Sequence, residues 1–499
     1  VLSRQAFVTR LLCALPKLRG FSATTKGFFM QCKKSFLSAV GRPVLSTALA
    51  AVCALAGAGL PAAAQAASSR DAWVVNQLYS YNHPLAAQLP SELATKMSKM
   101  AVSPFAFYRG TAHLFYQDML SRPASAYLNT ATRSTWLVGD MHLQNLGGFR
   151  DSAGNTVFGV TDFDESFWGP WTWDIRRMAA SIILAAREQG LSSTDQQAAV
   201  MAFLDAYFNK MNDFKGTSDE LGYRLTTSNT SGVVKDILDK SVADTRSSFL
   251  AKYTSVNASG VRQFLTGADL QTVSAATFSA IQTATSAYIN TIASSKRYAN
   301  SYYTVKDVRL KLGSGVGSLG RYRYYLLLEG PSSSQSDDVI LMMKQEGPSA
   351  VAIANPGGMP ATVYASHEGA RAAKSMKAGL ANTDVLVGYA SMNGLPFLMR
   401  EKSPYDEDFD VTLLTTAGKF STAADYMGKA LATVHAISDK DYDPTLISYS
   451  LDKEIDDVTA NAKTAFKTET MNFALDYANQ VQLDWQSFVN AYNSGTTLY

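Results

Sequence analysis

The 499-residue chain sets 45 Lys and Arg against 42 Asp and Glu, a formal charge of +3, and holds three cysteines. The positive surplus belongs to the first 66 residues, which carry eight Lys or Arg, no acidic residue and all three cysteines; without them Lys and Arg fall to 37 and the charge becomes −5. That balance excludes a basic nucleic-acid surface, and a remainder without cysteine excludes disulfides, thiolate zinc sites and cysteine nucleophiles.

From Met30 the pattern is that of a secretory signal: Lys33, Lys34 and Arg42 precede an apolar stretch from Val44 to Leu60, and small residues end at Ala64, Gln65 and Ala66. Cleavage is predicted after Ala66, which makes the mature protein periplasmic or secreted. Residues 1–29 read as an upstream extension, Arg- and Ser-bearing like a transit peptide when taken alone. Cys53 lacks the small-residue surroundings of a lipoprotein site, and no later apolar run reaches membrane-spanning length. No lipid anchor and no membrane association after cleavage are expected. About 430 residues remain, enough for a two-lobed enzyme-sized unit or two domains.

From Asp71 to Leu120 the pattern is helical with polar interruptions and contains SPFAFYRG. Its Arg109 offers a planar fork suited to a phosphate or a carboxylate, and equally to an interlobe or surface ion pair. The stretch from Val138 to Ser181 is polar where a domain usually builds core. Val157 to Val160 reads as a buried strand that delivers Asp162 and Asp164, two apart and on one face if the strand continues. Mg²⁺ takes one or two carboxylates, an amide oxygen, and otherwise water and phosphate oxygens. Asn145 and Asp162 fit that set, with Asp164 a further candidate ligand. Asp140, on a loop five residues before Asn145, can orient or deprotonate a hydroxyl beside metal-bound phosphates. His142 serves backbone support or chemistry equally well, and Trp168, Trp171 and Trp173 read as packing. Ile175 to Gly190 is an amphipathic helix. Between Ser192 and Ser301 amphipathic helices alternate with polar turns, a helical scaffold.

At Val305 two antiparallel strands flank a turn in which Gly315, Gly317 and Gly320 fit G-x-G-x-x-G. A strand follows it instead of the helix a dinucleotide fold needs, so the loop suits nucleotide phosphates as in kinases. Lys344 is the only charge within the apolar run of VILMMK and is predicted to face the cleft. Thr362 to Leu380 reads as one helix; its Glu368 is the expected partner of Lys344, with Glu346 a competitor. Apolar strands VLVGYA and LPFLMRE follow, then a helix over Ala424 to Ser438 and a helical, aromatic-rich end.

The interval from Asp140 to Asn145, followed by an Asp on a later strand, matches the protein-kinase catalytic loop. GDMHLQN, DFDE and GPWTWD together resemble the aminoglycoside and choline phosphotransferase branch of the kinase-like fold. With SPFAFYRG upstream, the block resembles a bacterial family known as domain of unknown function 2252, over most of the chain after residue 70. The resemblance implies Asp140 as catalytic base, Asn145 and Asp162 as metal ligands, Asp174 as a buried carboxylate bracing the catalytic loop, and a hinge at Glu401, Lys402 and Ser403. Because the glycine loop and Lys344 come after the catalytic loop, the expected fold is α+β, two-lobed and protein-kinase-like, circularly permuted with helical insertions. Its parts are a catalytic-loop half at 67–300, a nucleotide-clamping β-rich half at 301–410 and C-terminal helices at 411–499. The expected activity is transfer of phosphate from ATP or a related nucleotide, with Mg²⁺, to a small-molecule or protein acceptor. An exported protein meets little ATP, so two other readings stand beside it: a catalytically silent nucleotide- or phospholigand-binding protein, and a metal-assisted phosphoester hydrolase.

Overall fold

The computed structural model describes residues 60–499, with side chains from Ser69 onward. The predicted signal and upstream extension lie outside the described residues apart from 60–66, which begin the helix Leu60–Asn82. The chain divides into residues 1–70, described only over the helical stretch 60–70, and a second compact unit, 71–499, which carries the fold.

After Asn82, three α-helices follow in this second unit. Pro90–Met100 starts on a proline, whose missing N–H is unneeded at a first turn. Pro104–Gly110 starts where Ser103 accepts the Ala106 N–H, and Ala112–Met119 comes after it. Four short strands come next: β1 (Thr135–Leu137), β2 (Leu146–Arg150), β3 (Thr156–Val160) and β4 (Phe167–Gly169). β2 and β3 form an antiparallel hairpin with Leu146 opposite Val160, and β1 pairs with β4. The hairpin turn is fixed by Asp151, whose Oδ1 accepts the N–H groups of Ala153 and Asn155.

The helix Thr172–Glu188 buries all but a few of its residues and stops before Gly190, whose φ of +74° suits a helix end. Ser193–Phe214 is the next helix, capped by Ser192. The region expected to be a helical scaffold with polar turns also holds β5 (Thr254–Val256), β6 (Arg262–Phe264) and β7 (Leu270–Thr272), after the helices Gly232–Ala243 and Arg246–Tyr253. Each strand is three residues long and rich in Ser, Thr, Gln and Arg, so no alternation marks it.

The helix Ala275–Ile289 leads into β8 (Val305–Lys311), β9 (Arg323–Leu328), β10 (Val339–Gln345), β11 (Gly388–Met392) and β12 (Leu395–Glu401). With β7 they form one antiparallel sheet ordered β11-β12-β10-β9-β8-β7. Leu326, Leu328, Leu341, Met343, Phe397 and Met399 pack under Ile281 and Tyr288 on one face. Tyr325, Leu327, Ile340 and Met342 pack against Phe249, Leu250 and Phe264 on the other. Both faces being covered, β9 from Tyr324 onward and β10 as far as Met343 are apolar, and each fully buried side chain of this size contributes roughly 2 kcal/mol.

The helix expected over Thr362 to Leu380 is two pieces, Ala361–Tyr364 and Glu368–Gly379. Ala365 and Ser366 take positive φ values of 52° and 55°, and His367 caps the second piece by accepting the Ala370 N–H. After β12 the linker 402–406 leads to β13 (Glu407–Asp408), which pairs with β2. The helices Ala417–Ile437, Leu451–Thr459 and Lys463–Asn493 then return to the core of the first half: Leu431, Ile455 and Tyr477 belong to the same buried cluster as Val138, Ile182 and Phe203. The whole is a mixed α+β fold with several sheets.

Candidate functional site

Two segments of the polar stretch are brought side by side by the β2–β3 hairpin. Asn145 precedes β2 and Asp162 follows β3; Thr161 N–H donates to Asn145 O at 2.9 Å, so the two side chains leave the same end of the ladder. Asn145 Nδ2 donates to Asp140 O at 2.7 Å, closing the loop between them. That leaves Asn145 Oδ1 without a hydrogen bond among the described residues. Asp162 and Asp164 do not share a strand face, because β3 ends at Val160. Asp162 Oδ1 instead accepts the Asp164 N–H at 3.0 Å in a tight turn, which swings both carboxylates toward Lys344.

Asp140 Oδ1 accepts the Arg177 Nε–H at 2.8 Å and pairs with its Nη2. Its Oδ2 lies 3.6 Å from His142 Nε2. Burial lifts the Asp140 carboxyl above the ordinary range, and Arg177 restrains the rise. Burial, with Arg109 and Arg177 nearby, pushes His142 well below its usual value, so the ring is neutral. Beneath the loop, Asp174 is fully buried: Oδ2 accepts the Val138 N–H at 2.7 Å, Oδ1 the Gly139 N–H at 3.0 Å, and His435 Nε2 stands 3.2 Å from Oδ2. Tyr207 meets the other ring nitrogen of His435 at 2.8 Å. The brace expected of Asp174 thus reaches the helix Ala417–Ile437. Trp171 is buried between Tyr207 and Phe466, the packing role expected of it.

Lys344 lies on β10, opposite Arg323 of β9 and Leu398 of β12. It pairs with Asp164 and stands 3.4 Å from Asp162. Glu368 is not its partner: that carboxylate pairs with Arg371 three residues along its own helix, and Arg371 donates onward to Ser166 O and Gly347 O. Glu346 is buried, with Oε1 lacking a partner among the described residues, and burial beside Asp164 pushes its carboxyl far upward. Burial works against both members of the Lys344–Asp164 pair, yet the attraction prevails: it raises Lys344 and holds Asp164 at about 2. Asp164 therefore contributes stability that is present above the unfolded carboxyl value, about 3.9, and lost as pH falls toward 2, on the order of 2 kcal/mol. Urea unfolding of Asp164→Asn between pH 5 and pH 2 is expected to show that part of the acid slope removed; an unchanged slope would contradict the pairing.

The glycine loop between β8 and β9 places Gly315 and Gly320 at φ of +79° and +102°, which L side chains rarely adopt. A Cβ on Gly320 would come within 2.6 Å of Leu93. The loop is gripped from outside by the helix Pro90–Met100. Gly313 N–H donates to Glu92 at 2.7 Å, Lys99 donates to Gly313 O at 2.7 Å and Gly315 O at 3.2 Å, and the buried Lys96 donates to Gly317 O and to Asn82 Oδ1, each at 3.0 Å. Burial lowers Lys96 to about 7. These three residues escaped the sequence reading, although their spacing of four and three puts them on one helical face. Arg177 escaped it too, three residues after Asp174 on one helix and hence on the same side.

Between the six-stranded sheet and the hairpin lies a cleft of about 1160 Å³, lined by Arg323, Met342 and Lys344 above, Asn145 and Asp162 below, and Lys402 to Asp406 at its back. A chamber of about 80 Å³ shares Arg109, Asn145, Asp162, Gly315 and Arg323 with it and adds Asp140, His142, Asp164 and Gly317. At the linker, Glu401 pairs with Arg246 at 2.9 Å and Lys402 with Asp406 at 3.2 Å. Asp140, Asn145, Asp162, Asp164, Lys344, Arg109, Gly315 and Gly317 thus meet in one place; Glu368 and Gly320 do not line it. No group of three or more His, Cys, Asp or Glu among the described residues is arranged to hold a metal alone. The open Asn145 Oδ1 and the Asp162 carboxylate, 40% exposed, fit the two protein oxygens that Mg²⁺ takes when phosphates supply others.

A model of a family described as an uncharacterized protein conserved in bacteria (DUF2252) matches residues 88–491. No curated protein and no solved structure matches the chain.

Proposed function

For a chain that belongs to the DUF2252 family, we propose a kinase-like phosphotransferase that binds ATP or a related nucleotide with Mg²⁺. One observation carries the reading: a single cleft gathers the Asp140–Asn145 loop, the Asp162–Asp164 turn, Lys344 and a glycine loop from segments up to about 200 residues apart. The order of parts around the sheet supports it as well. Strand, glycine loop, strand, lysine strand, helix and two strands succeed one another, and a linker then joins the sheet to the hairpin that bears the carboxylates. The permuted order, with the catalytic half first, is supported by the return of Ala417–Ile437 to that half through His435 and Asp174.

In this reading the amides of the glycine loop, Lys344 and Arg323 neutralise phosphate oxygens. Asn145 and Asp162 would hold Mg²⁺, which supplies further charge neutralisation on the phosphates. Asp140 Oδ2, the oxygen not taken by Arg177, accepts the proton of the attacking hydroxyl. Catalysis is then mainly positioning and electrostatics. Nucleotide binding followed by calorimetry with and without Mg²⁺ tests this. Asp162→Asn is expected to abolish the metal-dependent gain in affinity, and Lys344→Met to weaken binding about tenfold or more, the worth of a charge-assisted phosphate contact. Two variants that bind like the parent would remove the cleft assignment. Binding without turnover would favour the silent-binder reading, and phosphate release without an acceptor the hydrolase.

A further inference from the structure

Within the cleft the cations divide into engaged and unengaged. Arg177 is taken by Asp140, and Lys344 by Asp164 and Asp162. Arg323 stands beside Lys344 on the phosphate side and donates to Ser318 Oγ at 3.2 Å. Arg150, whose Nε lacks an acceptor among the described residues, lies 3.6 Å over the Tyr405 ring, and Arg321 is hydrogen-bonded to Tyr81. Arg109 has no such close partner: among the described residues its Nε is buried with no acceptor and no carboxylate pairs with it. The ring of Phe105 lies 5.9 Å from the guanidinium.

Position gives this unengaged fork its meaning. Arg109 lines both the cleft and the inner chamber, where Asp140 and His142 stand. The leading charge acting on it is that of Asp140, and it is the leading charge acting on His142. It therefore shares the chamber with Asp140, within reach of an acceptor presented there. A guanidinium held in a half-buried site without a partner is satisfied by an anion that binds both of its nitrogens.

Building on the phosphotransferase reading, we infer that the acceptor is an anionic alcohol, its carboxylate or phosphate held by Arg109 and its hydroxyl presented to Asp140 Oδ2. In the transfer the acceptor oxygen forms a bond to the γ-phosphorus. The bond from that phosphorus to the β–γ bridging oxygen breaks, its electron pair leaves with the nucleoside diphosphate, and the hydroxyl proton passes to Asp140. Arg109 is the anchor that sets which hydroxyl reaches it.

Inorganic phosphate and acetate are the probes. Each is titrated calorimetrically into parent, Arg109→Gln, Arg109→Lys and Lys344→Met proteins, free and saturated with Mg²⁺ and the non-hydrolysable ATP analogue AMP-PNP, with folding checked by circular dichroism. The expected result is that the nucleotide-loaded parent still binds one of the two anions. Arg109→Gln weakens that anion at least about tenfold, Arg109→Lys less, and Lys344→Met little. The anion that binds names the acceptor's group. No anion binding by the loaded parent, or equal binding by Arg109→Gln, overturns the inference; so does a tenfold loss of AMP-PNP affinity in Arg109→Gln, which would give Arg109 to the nucleotide. If the parent binds no AMP-PNP, the phosphotransferase reading fails by itself, and anion binding to the free protein decides the rest: loss in Arg109→Gln alone upholds the anion site, and any other pattern removes it.

Discussion

Asp140→Asn is expected to lower phosphoryl transfer by about 10²- to 10⁴-fold, the usual worth of a general base, while nucleotide affinity stays within a few-fold of the parent. Asparagine keeps the size of the side chain but cannot take the proton. The substitution also strips a buried guanidinium of its counter-charge, since Arg177 lies fully buried against Tyr108 and Phe115. Removing one partner of such a pair typically costs about 3–5 kcal/mol of stability. Turnover therefore has to be measured well below the melting transition, and in the Arg177→Met background as well, where the stranded charge is gone. Unchanged turnover in a folded Asp140→Asn protein would refute the mechanism at its centre.

Asp174→Ala is expected to destabilise the fold by about 3–5 kcal/mol, read by urea unfolding. The carboxylate serves three partners in a fully buried place: the N–H groups of Val138 and Gly139 and the ring of His435. Alanine leaves all three unpaired, and each buried unsatisfied group costs about 1–3 kcal/mol. Asp239→Ala provides the contrast, because its pair with Lys235 is exposed and should be worth under about 1 kcal/mol. A loss for Asp174→Ala as small as that control would deny the brace.

What could be read from the sequence was local. Residues 157–160 and 395–401 announced strands by unbroken apolar or alternating runs, and 175–190 a helix by its stripe and terminal glycine; all three are present. The neighbourhood of Asp140, Asn145, Asp162 and Lys344 was legible because residue type and order suggested one chemistry. What failed were pairings across space. Glu368 suits Lys344 by type, but Arg371 on the next turn of its helix is nearer and fully buried. Asp162 and Asp164 would have shared a face only if the strand continued, and instead the Asp162 side chain captures the Asp164 N–H and turns the chain. The break at Ala365 and Ser366 was invisible because neither residue signals positive φ. Glu92, Lys96 and Lys99 act on a loop more than 200 residues away, a relation no local window contains.

That last separation bears on how the protein comes into being. Glu92 meets Gly313 across 221 positions, Asp162 meets Lys344 across 182 and Asp174 meets His435 across 261. Closing loops of such length carries an entropic cost that grows with their span, and folds dominated by distant contacts form slowly. A growing chain that has not yet reached His435 already carries every charged group of the cleft but lacks the ring that completes the support of the Asp140 loop. The support of the Asp140 loop is therefore completed late, after nearly the whole chain is available.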